Sequence, residues 1–261
     1  MIGEFLSGPA SDFRHVHFDE IGSTNSFLIE QVNAGEPGNL WVTAAIQTIG
    51  KGSRGRDWQS PVGNLYASLL LVEPGEVAKL HELTFVSALA VREAIATFSA
   101  EANCVQVKWP NDVLINQKKC SGILLESGTT NGLPFMVIGC GINCKTFPDT
   151  ALHKASCLEA EGIIVQPTEL FQSFSNAMAS MLETWAQGAG FQKIRQSWLD
   201  HAIGIGEQVR IEIPGKDTLQ GRFVSVDERG YMVIENQDLV LTRISTADVF
   251  FNQQAPSRRS S

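Results

Sequence analysis

The chain has 261 residues, of which 43% are hydrophobic and 18% charged, with a formal net charge of −8. That supports one large folded unit, or one large and one small, and it excludes duplex nucleic acid as the main partner, because binding a phosphate backbone needs a basic face. No apolar run is long enough for a bilayer span, the stretch from Met1 to His17 lacks a signal-peptide layout, and five cysteines without a CxxC pair point to reduced thiols and a cytoplasmic setting.

Arg14 to Asp19 alternates as a first strand, and Gly22-Ser23-Thr24-Asn25 offers cap residues to a helix reaching Asn33. Gly35 to Gly38 is a turn, Leu40 to Ile46 a β-branched strand, and Asn64 to Val72 another. Leu80 to Phe98 has helical apolar spacing. Val105 to Lys108 is a short strand ended by Pro110. Val113 to Ile115 and Cys120 to Ser127 form a hairpin across Asn116-Gln117-Lys118, and Phe135 to Ile142 is a buried strand. Glu169 to Trp185 and Phe191 to His201 are helices. From Glu207 onward, four or five short strands in about fifty residues, with turns at Pro214 to Asp217 and Asp227 to Gly230, make a small barrel. The expected division is a catalytic domain over 1–202, a barrel over 203–252 and a disordered tail over 253–261.

One segment concentrates the chemistry. Gly50-Lys51-Gly52-Ser53-Arg54-Gly55-Arg56-Asp57-Trp58 places three glycines and three cations in nine positions of an acidic chain. Glycine lets the backbone approach a ligand, and Lys and Arg supply charge and donors for phosphate or carboxylate. Gly50, Gly52 and Gly55 spell GxGxxG, but a dinucleotide site needs a helix there, whereas Pro61, Gly63 and then a strand follow. The plain alternative is a surface hairpin. A second signal is Lys108-Trp109-Pro110-Asn111-Asp112, in which a strand ends and Asn and Asp project; Asp112 is suited to hold Mg²⁺ or orient a lysine. Taken alone it reads as an ordinary Pro-Asn-Asp turn. The third, Lys118-Lys119-Cys120-Ser121-Gly122, reads alone as a solvated hairpin tip. Cys140, Cys144, His153 and Cys157 are clustered, but their spacing is not that of a zinc site, and no metal is assigned.

Together these segments resemble the biotin protein ligases, the biotin–[acetyl-CoA-carboxylase] ligases. Ser23-Thr24-Asn25 matches the family's S-T-N, and Gln47 with Gly50 to Trp58 matches Q-x-x-G-[RK]-G-R-x-G-R-x-W. Lys108 to Asp112 matches K-W-P-N-D. Lys119 with Ser121 to Leu124 and Glu126 matches K-x-[AS]-G-I-L-x-E, and Ile138 to Asn143 matches I-G-x-G-I-N. The resemblance implies an α+β fold: a mixed sheet with helices, akin to class II aminoacyl-tRNA synthetases, followed by an SH3-like barrel. With the first strand near Arg14, it is to the monofunctional type, without an N-terminal DNA-binding domain.

The resemblance also implies chemistry. Biotin is activated by Mg-ATP to biotinyl-5'-AMP, then passed to a lysine of a biotin carboxyl carrier protein. Ser23, Thr24, Asn25 and Gln47 would line the ureido pocket. Lys51, Gly52 and Ser53, with Gly122, would enclose the valeryl chain and carboxylate. Lys119 would bridge that carboxylate and the α-phosphate, with Asp112 and Lys51 as the other catalytic candidates. Arg54, Arg56, Trp58, Asn111, Asp112 and Asn143 would serve ATP, with Trp58 near adenine. ATP and Mg²⁺ are the expected cofactors; no DNA or membrane partner is expected, and pairing of two copies through sheet edges is left open. Lipoate or octanoate ligation, and biotin binding without turnover, are the alternatives. One departure stands out: the family usually has Arg where this chain has Ser53, which predicts looser retention of the adenylate unless Arg54 compensates.

Overall fold

A computed structural model describes residues 4–148, 154–213 and 217–251. The expected turn at residues 214–216, the tail over 253–261 and His153 lie outside the described residues.

The larger sheet has eight strands. They are β1 (Glu4–Phe5), β2 (Arg14–Ile21), β3 (Leu40–Gln47), β4 (Leu65–Val72), β5 (Val105–Lys108), β6 (Asp112–Ile115), β7 (Lys118–Thr130) and β8 (Leu133–Ile142). Their order is β1-β2-β3-β4-β8-β7-β6-β5, with β2 and β3 parallel and every other pair antiparallel. Helix α1 (Thr24–Asn33) is the crossover between the two parallel strands, as a parallel pair requires. Ser23 caps it, its Oγ accepting from Ser26 N at 3.4 Å.

The two faces of this sheet bury different things. Leu28 and Val32 of α1 pack with Leu40, Val42, Leu70 and Val137 on one face. The other face carries α2 (Leu83–Ala96), α3 (Pro167–Trp185) and α4 (Phe191–Asp200). Phe171 and Phe174 of α3 meet Trp41 edge-on at centroid distances of 5.6 and 5.2 Å. Each such buried aromatic contributes about 2–3 kcal/mol of apolar burial. The periodic run expected as one helix from Leu80 to Phe98 is a 3₁₀ segment, Val77–Glu82, followed by α2. Periods of 3.0 and 3.6 residues are indistinguishable over six residues.

The second sheet is antiparallel, with β9 (Gln208–Glu212), β10 (Leu219–Val226), β11 (Met232–Glu235), β12 (Leu241–Ile244) and β13 (Asp248–Phe251) in the order β12-β11-β10-β9-β13. Val209, Ile211, Phe223 and Met232 join the main core of the larger sheet. Trp109 Nε1 donates to Gly230 O at 3.1 Å, Arg195 Nε donates to Val226 O at 2.7 Å, and His81 Nε2 lies 2.7 Å from Arg229 O, so the two sheets are fastened by hydrogen bonds as well as packing. No helix among the described residues is long and apolar enough to cross a membrane.

Candidate functional site

A cavity of ≈ 220 Å³ opens where β3, β4, β7 and β8 meet the start of α1. Glycines make room for it. Gly122 and Gly141 are opposed across β7 and β8, and the Trp58 indole lies on them. A Cβ at Gly141 would come within 2.5 Å of Trp58 Nε1, and one at Gly122 within 3.0 Å of Trp58 Cζ3. Gly139, two residues before Gly141 and on the same face, leaves space for Asn25, whose Cγ would lie 2.9 Å from an added Cβ. The G-x-G spacing in β8 is therefore a steric requirement.

A continuous chain of polar side chains lines one end. Ser60 Oγ donates to Trp58 O (3.0 Å), and Gln47 Nε2 donates to Ser60 Oγ (3.1 Å). Gln47 Oε1 accepts from Thr24 N (2.9 Å) and lies 3.0 Å from Thr24 Oγ1, which is 2.6 Å from Ser68 Oγ. Ser68 Oγ donates to Asn25 Oδ1 (2.5 Å), and Asn25 Nδ2 donates to Glu126 Oε2 (2.7 Å). Glu126 Oε1 lies 3.9 Å from Lys51 Nζ. Thr24, Asn25 and Ser68 are buried. Their mutual bonds satisfy what burial would otherwise penalise, and they fix each donor and acceptor in place.

The glycine-and-cation loop is a small hairpin over this cavity. Lys51 pairs with Asp57, Gly52 N donates to Arg56 O (2.7 Å) and Trp58 N donates to Gly50 O (2.9 Å). Arg54 takes φ 60°, a left-handed conformation, and no helix follows Gly55. Arg56 folds back on Ser53: its Nη2 donates to Ser53 Oγ (2.9 Å) and its Nε to Ser53 O (3.2 Å). Arg54 instead pairs with Asp248 of β13, and Arg56 Nη2 reaches the same carboxylate at 3.5 Å.

The cationic end is built on strand ends. Lys119 Nζ lies 2.6 Å from Asp112 Oδ1 and 5.6 Å from the Trp58 ring centroid. Burial pushes the nearby Lys108 ammonium below its usual range, and Lys119 adds to that, while Asp112 and Asp248 offset it. Asn111 Nδ2 donates to Ile123 O (2.6 Å), which leaves its amide oxygen for a ligand. Asn143 Nδ2 donates to Ser156 O (3.1 Å). Just after Asn143, the Oδ1 of buried Asn64 accepts three successive backbone N–H groups, from Cys144, Lys145 and Thr146, and so fixes the end of β8.

Residues 18–143 match the family pattern of the biotin/lipoate A/B protein ligase family, and residues 204–252 match the biotin protein ligase C terminal domain. A biotin–[acetyl-CoA-carboxylase] ligase of Paracoccus denitrificans is 34% identical over 239 residues, covering 88% of this chain and 97% of the relative. The chain belongs to the biotin protein ligases. A bifunctional ligase/repressor BirA of Bacillus subtilis is 30% identical over 90% of this chain and 73% of its own length. The biotin protein ligase from Aquifex aeolicus in complex with biotin and ATP superimposes with a TM-score of 0.77 at 25% identity, covering 92% of this chain and 98% of that one. The fold expected from the resemblance, a mixed sheet with helices and a small antiparallel sheet after it, is the one found.

Within this biotin protein ligase cavity, Ser23, Thr24, Asn25, Gln47, Lys51, Gly52, Ser53, Arg56, Trp58, Asn111, Lys119, Gly122 and Asn143 are brought together as lining residues. Asp112 stands directly behind Lys119. Arg54 is not brought to the cavity, because Asp248 draws its guanidinium towards the second sheet; the residue that meets Ser53 is Arg56. Sequence reasoning gave no role to Ser68, which lines the cavity, or to Glu126 and Asn64, which fix its polar chain and the end of β8, although Glu126 stands within the K-x-[AS]-G-I-L-x-E match. Burial pushes the Cys140 and Cys144 thiols up, the latter to about 12, and Cys144 and Cys157 point their Sγ–H groups at backbone carbonyls. Among the described residues no group of three His, Cys, Asp or Glu could hold a metal.

Proposed function

We propose that this chain joins biotin to a protein lysine in two steps at the one cavity. In the first, a biotin carboxylate oxygen attacks the α-phosphorus of ATP, the bond to pyrophosphate breaks, and biotinyl-5'-AMP forms. In the second, a lysine amine of a biotin carboxyl carrier domain attacks the anhydride carbonyl, an amide forms and AMP leaves. An anion attacking a polyanion needs charge neutralisation and alignment more than an enzyme nucleophile. The observation that carries this reading is the polar chain from Ser60 to Glu126 ending beside Lys51, with the Lys119–Asp112 pair 5.6 Å from the Trp58 ring in the same cavity.

Each group has a task in that scheme. The fixed donors and acceptors of Ser23, Thr24, Asn25 and Gln47 suit an uncharged cyclic urea. Lys51, Gly52 and Ser53 enclose the chain and carboxylate under the hairpin, with Gly122 opening the floor. Lys119 neutralises the carboxylate–phosphate junction, held ready by Asp112. Arg56, Asn111 and Asn143 serve the nucleotide, and Trp58 separates the two ends. Mg²⁺ accompanying ATP would neutralise phosphate charge; Asn111 and Asn143, which line the cavity, and Asp112, paired with Lys119, would hold it alongside phosphate and water. A cytoplasmic setting fits five free thiols.

A lipoyl or octanoyl substrate is the rival within the same family pattern. It has no urea to engage the Thr24–Ser68–Asn25 end, so an apolar chain would be set against fixed polar groups with no hydrogen bond gained, which disfavours it. Turnover-free biotin binding is disfavoured by the intact Lys119–Asp112 pair. Exchange of labelled pyrophosphate into ATP separates them: exchange with biotin is expected. Exchange with lipoate alone would establish the rival substrate, and exchange with neither would leave a binder.

A further inference from the structure

Lys119 is held by more than its pairing with Asp112. The β6–β7 ladder passes from Val113 opposite Ser121 to Leu114 opposite Lys119, so Cys120 is an extra residue on β7. A bulge of this kind re-aims the neighbouring side chain. A separate segment takes both backbone polar groups of Lys119. Its N–H donates to Lys154 O at 2.8 Å, and Ser156 N donates to its carbonyl at 2.9 Å. Residues 154–156 thus form a strap lying parallel to Lys119 through Ala155, which itself lines the cavity.

One carboxylate ties this strap down. Ser156 Oγ donates to Glu161 Oε1 at 2.5 Å, Lys118 Nζ reaches the same oxygen at 2.7 Å, and Asn116 Nδ2 donates to Glu161 Oε2 at 2.8 Å. Glu161 therefore joins the strap to the turn of the β6–β7 hairpin and to the residue just before Lys119. Its side chain is 6% exposed. Burial works against its charge, and the bonds from Lys118, Ser156 and Asn116 outweigh that, holding the carboxyl below its usual range. Charge-assisted bonds from three directions make it a stiff anchor.

We propose that Glu161 is the positioning residue for Lys119: by tying strap to hairpin it fixes the bulge that aims the Lys119 ammonium at the carboxylate–phosphate junction. This rests on the role given to Lys119 above. Glu161 does not line the cavity, and it acts through Ser156 and the strap.

The test is pyrophosphate exchange with biotin varied at saturating ATP and pyrophosphate for the wild type, Glu161→Ala, Glu161→Gln and Ser156→Ala. A shift of about 1 Å in a catalytic group costs on the order of 10²-fold. Glu161→Ala is expected to lose about tenfold to a hundredfold in kcat with the KM for biotin nearly unchanged. Ser156→Ala loses less. Glu161→Gln, whose amide oxygen still accepts from Ser156 and Lys118, recovers most of the loss. A merely structural role would lower the melting temperature and leave this kcat pattern absent. Full kcat in Glu161→Ala below its melting temperature, or a Gln variant no better than Ala, would overturn the proposal. If Glu161→Ala does not fold, Ser156→Ala decides: unchanged kcat there overturns it equally. A wild type without exchange would instead sink the role of Lys119 itself.

Discussion

The Lys119 ammonium stands 2.6 Å from the Asp112 carboxylate, and the half-buried Lys108 feels both, its charge opposed by Lys119 and favoured by Asp112. Asp112 thus steadies two cations that repel each other. Asp112→Asn keeps the size but removes the charge, freeing Lys119 to swing away from Lys108. Pyrophosphate exchange should fall by at least about tenfold in kcat, while biotin binding measured by calorimetry changes little. Unchanged kcat would show that Lys119 needs no such partner.

The indole floor gives a steric prediction. Gly141→Ala drives a methyl group into Trp58, whose Nε1 is buried without a hydrogen-bond partner. Overpacking costs about 1–3 kcal/mol unless the neighbour moves. Trp58 stands on the loop hairpin and can move, so the cost should appear mainly as a higher KM for biotin and ATP, with a small change in melting temperature. A large loss of stability at unchanged KM would contradict this.

How much of this was legible in the sequence follows from what is local. The loop hairpin, the Lys108–Asp112 strand end and the cap at Ser23 are runs of neighbours, so their spacing speaks directly. The partners that complete the site are remote: Thr24 and Ser68 are 44 residues apart, Asn25 and Glu126 101, and Asn64 and Cys144 80. Ser68 reads as one more residue of an apolar strand until β4 is placed between β3 and β8. The pairing of Arg54 is remote in the same way, since nothing near it announces Asp248, 194 residues away. The two-residue β1 is too short to stand out by pattern.

Ser53 bears on how tightly the intermediate is kept. The structure gives its hydroxyl to Arg56, which reaches the cavity rim while remaining tethered towards Asp248. A Ser hydroxyl is a weaker anion ligand than a guanidinium. Biotinyl-5'-AMP should therefore escape and label lysines of bystander proteins. Ser53→Arg should cut that labelling by about tenfold, the worth of one charge-assisted hydrogen bond. Western blotting of a mixed protein sample for biotin checks it; equal labelling by both enzymes would contradict it.

Acid should weaken the fold through His15. Burial, and His17 beside it, push its pKa from 6.5 to about 4, and its ring packs 4.4 Å from Phe171. Below pH 6.5 the unfolded chain takes up a proton that the folded chain refuses until about pH 4, so stability is full above 6.5 and is lost across that window. Urea midpoints between pH 7 and 4 should fall more steeply for the wild type than for His15→Gln. Parallel curves would remove His15 from the acid response.

The most direct measurement is the intact mass of a biotin carboxyl carrier domain after incubation with this chain, Mg-ATP and either biotin or lipoate, repeated with Lys119→Ala. One biotinyl group on the carrier with wild-type enzyme, none with lipoate and a rate lowered about 10²–10³-fold by Lys119→Ala is the predicted result. A lipoyl adduct without a biotinyl one, or full biotinylation by Lys119→Ala, would contradict it.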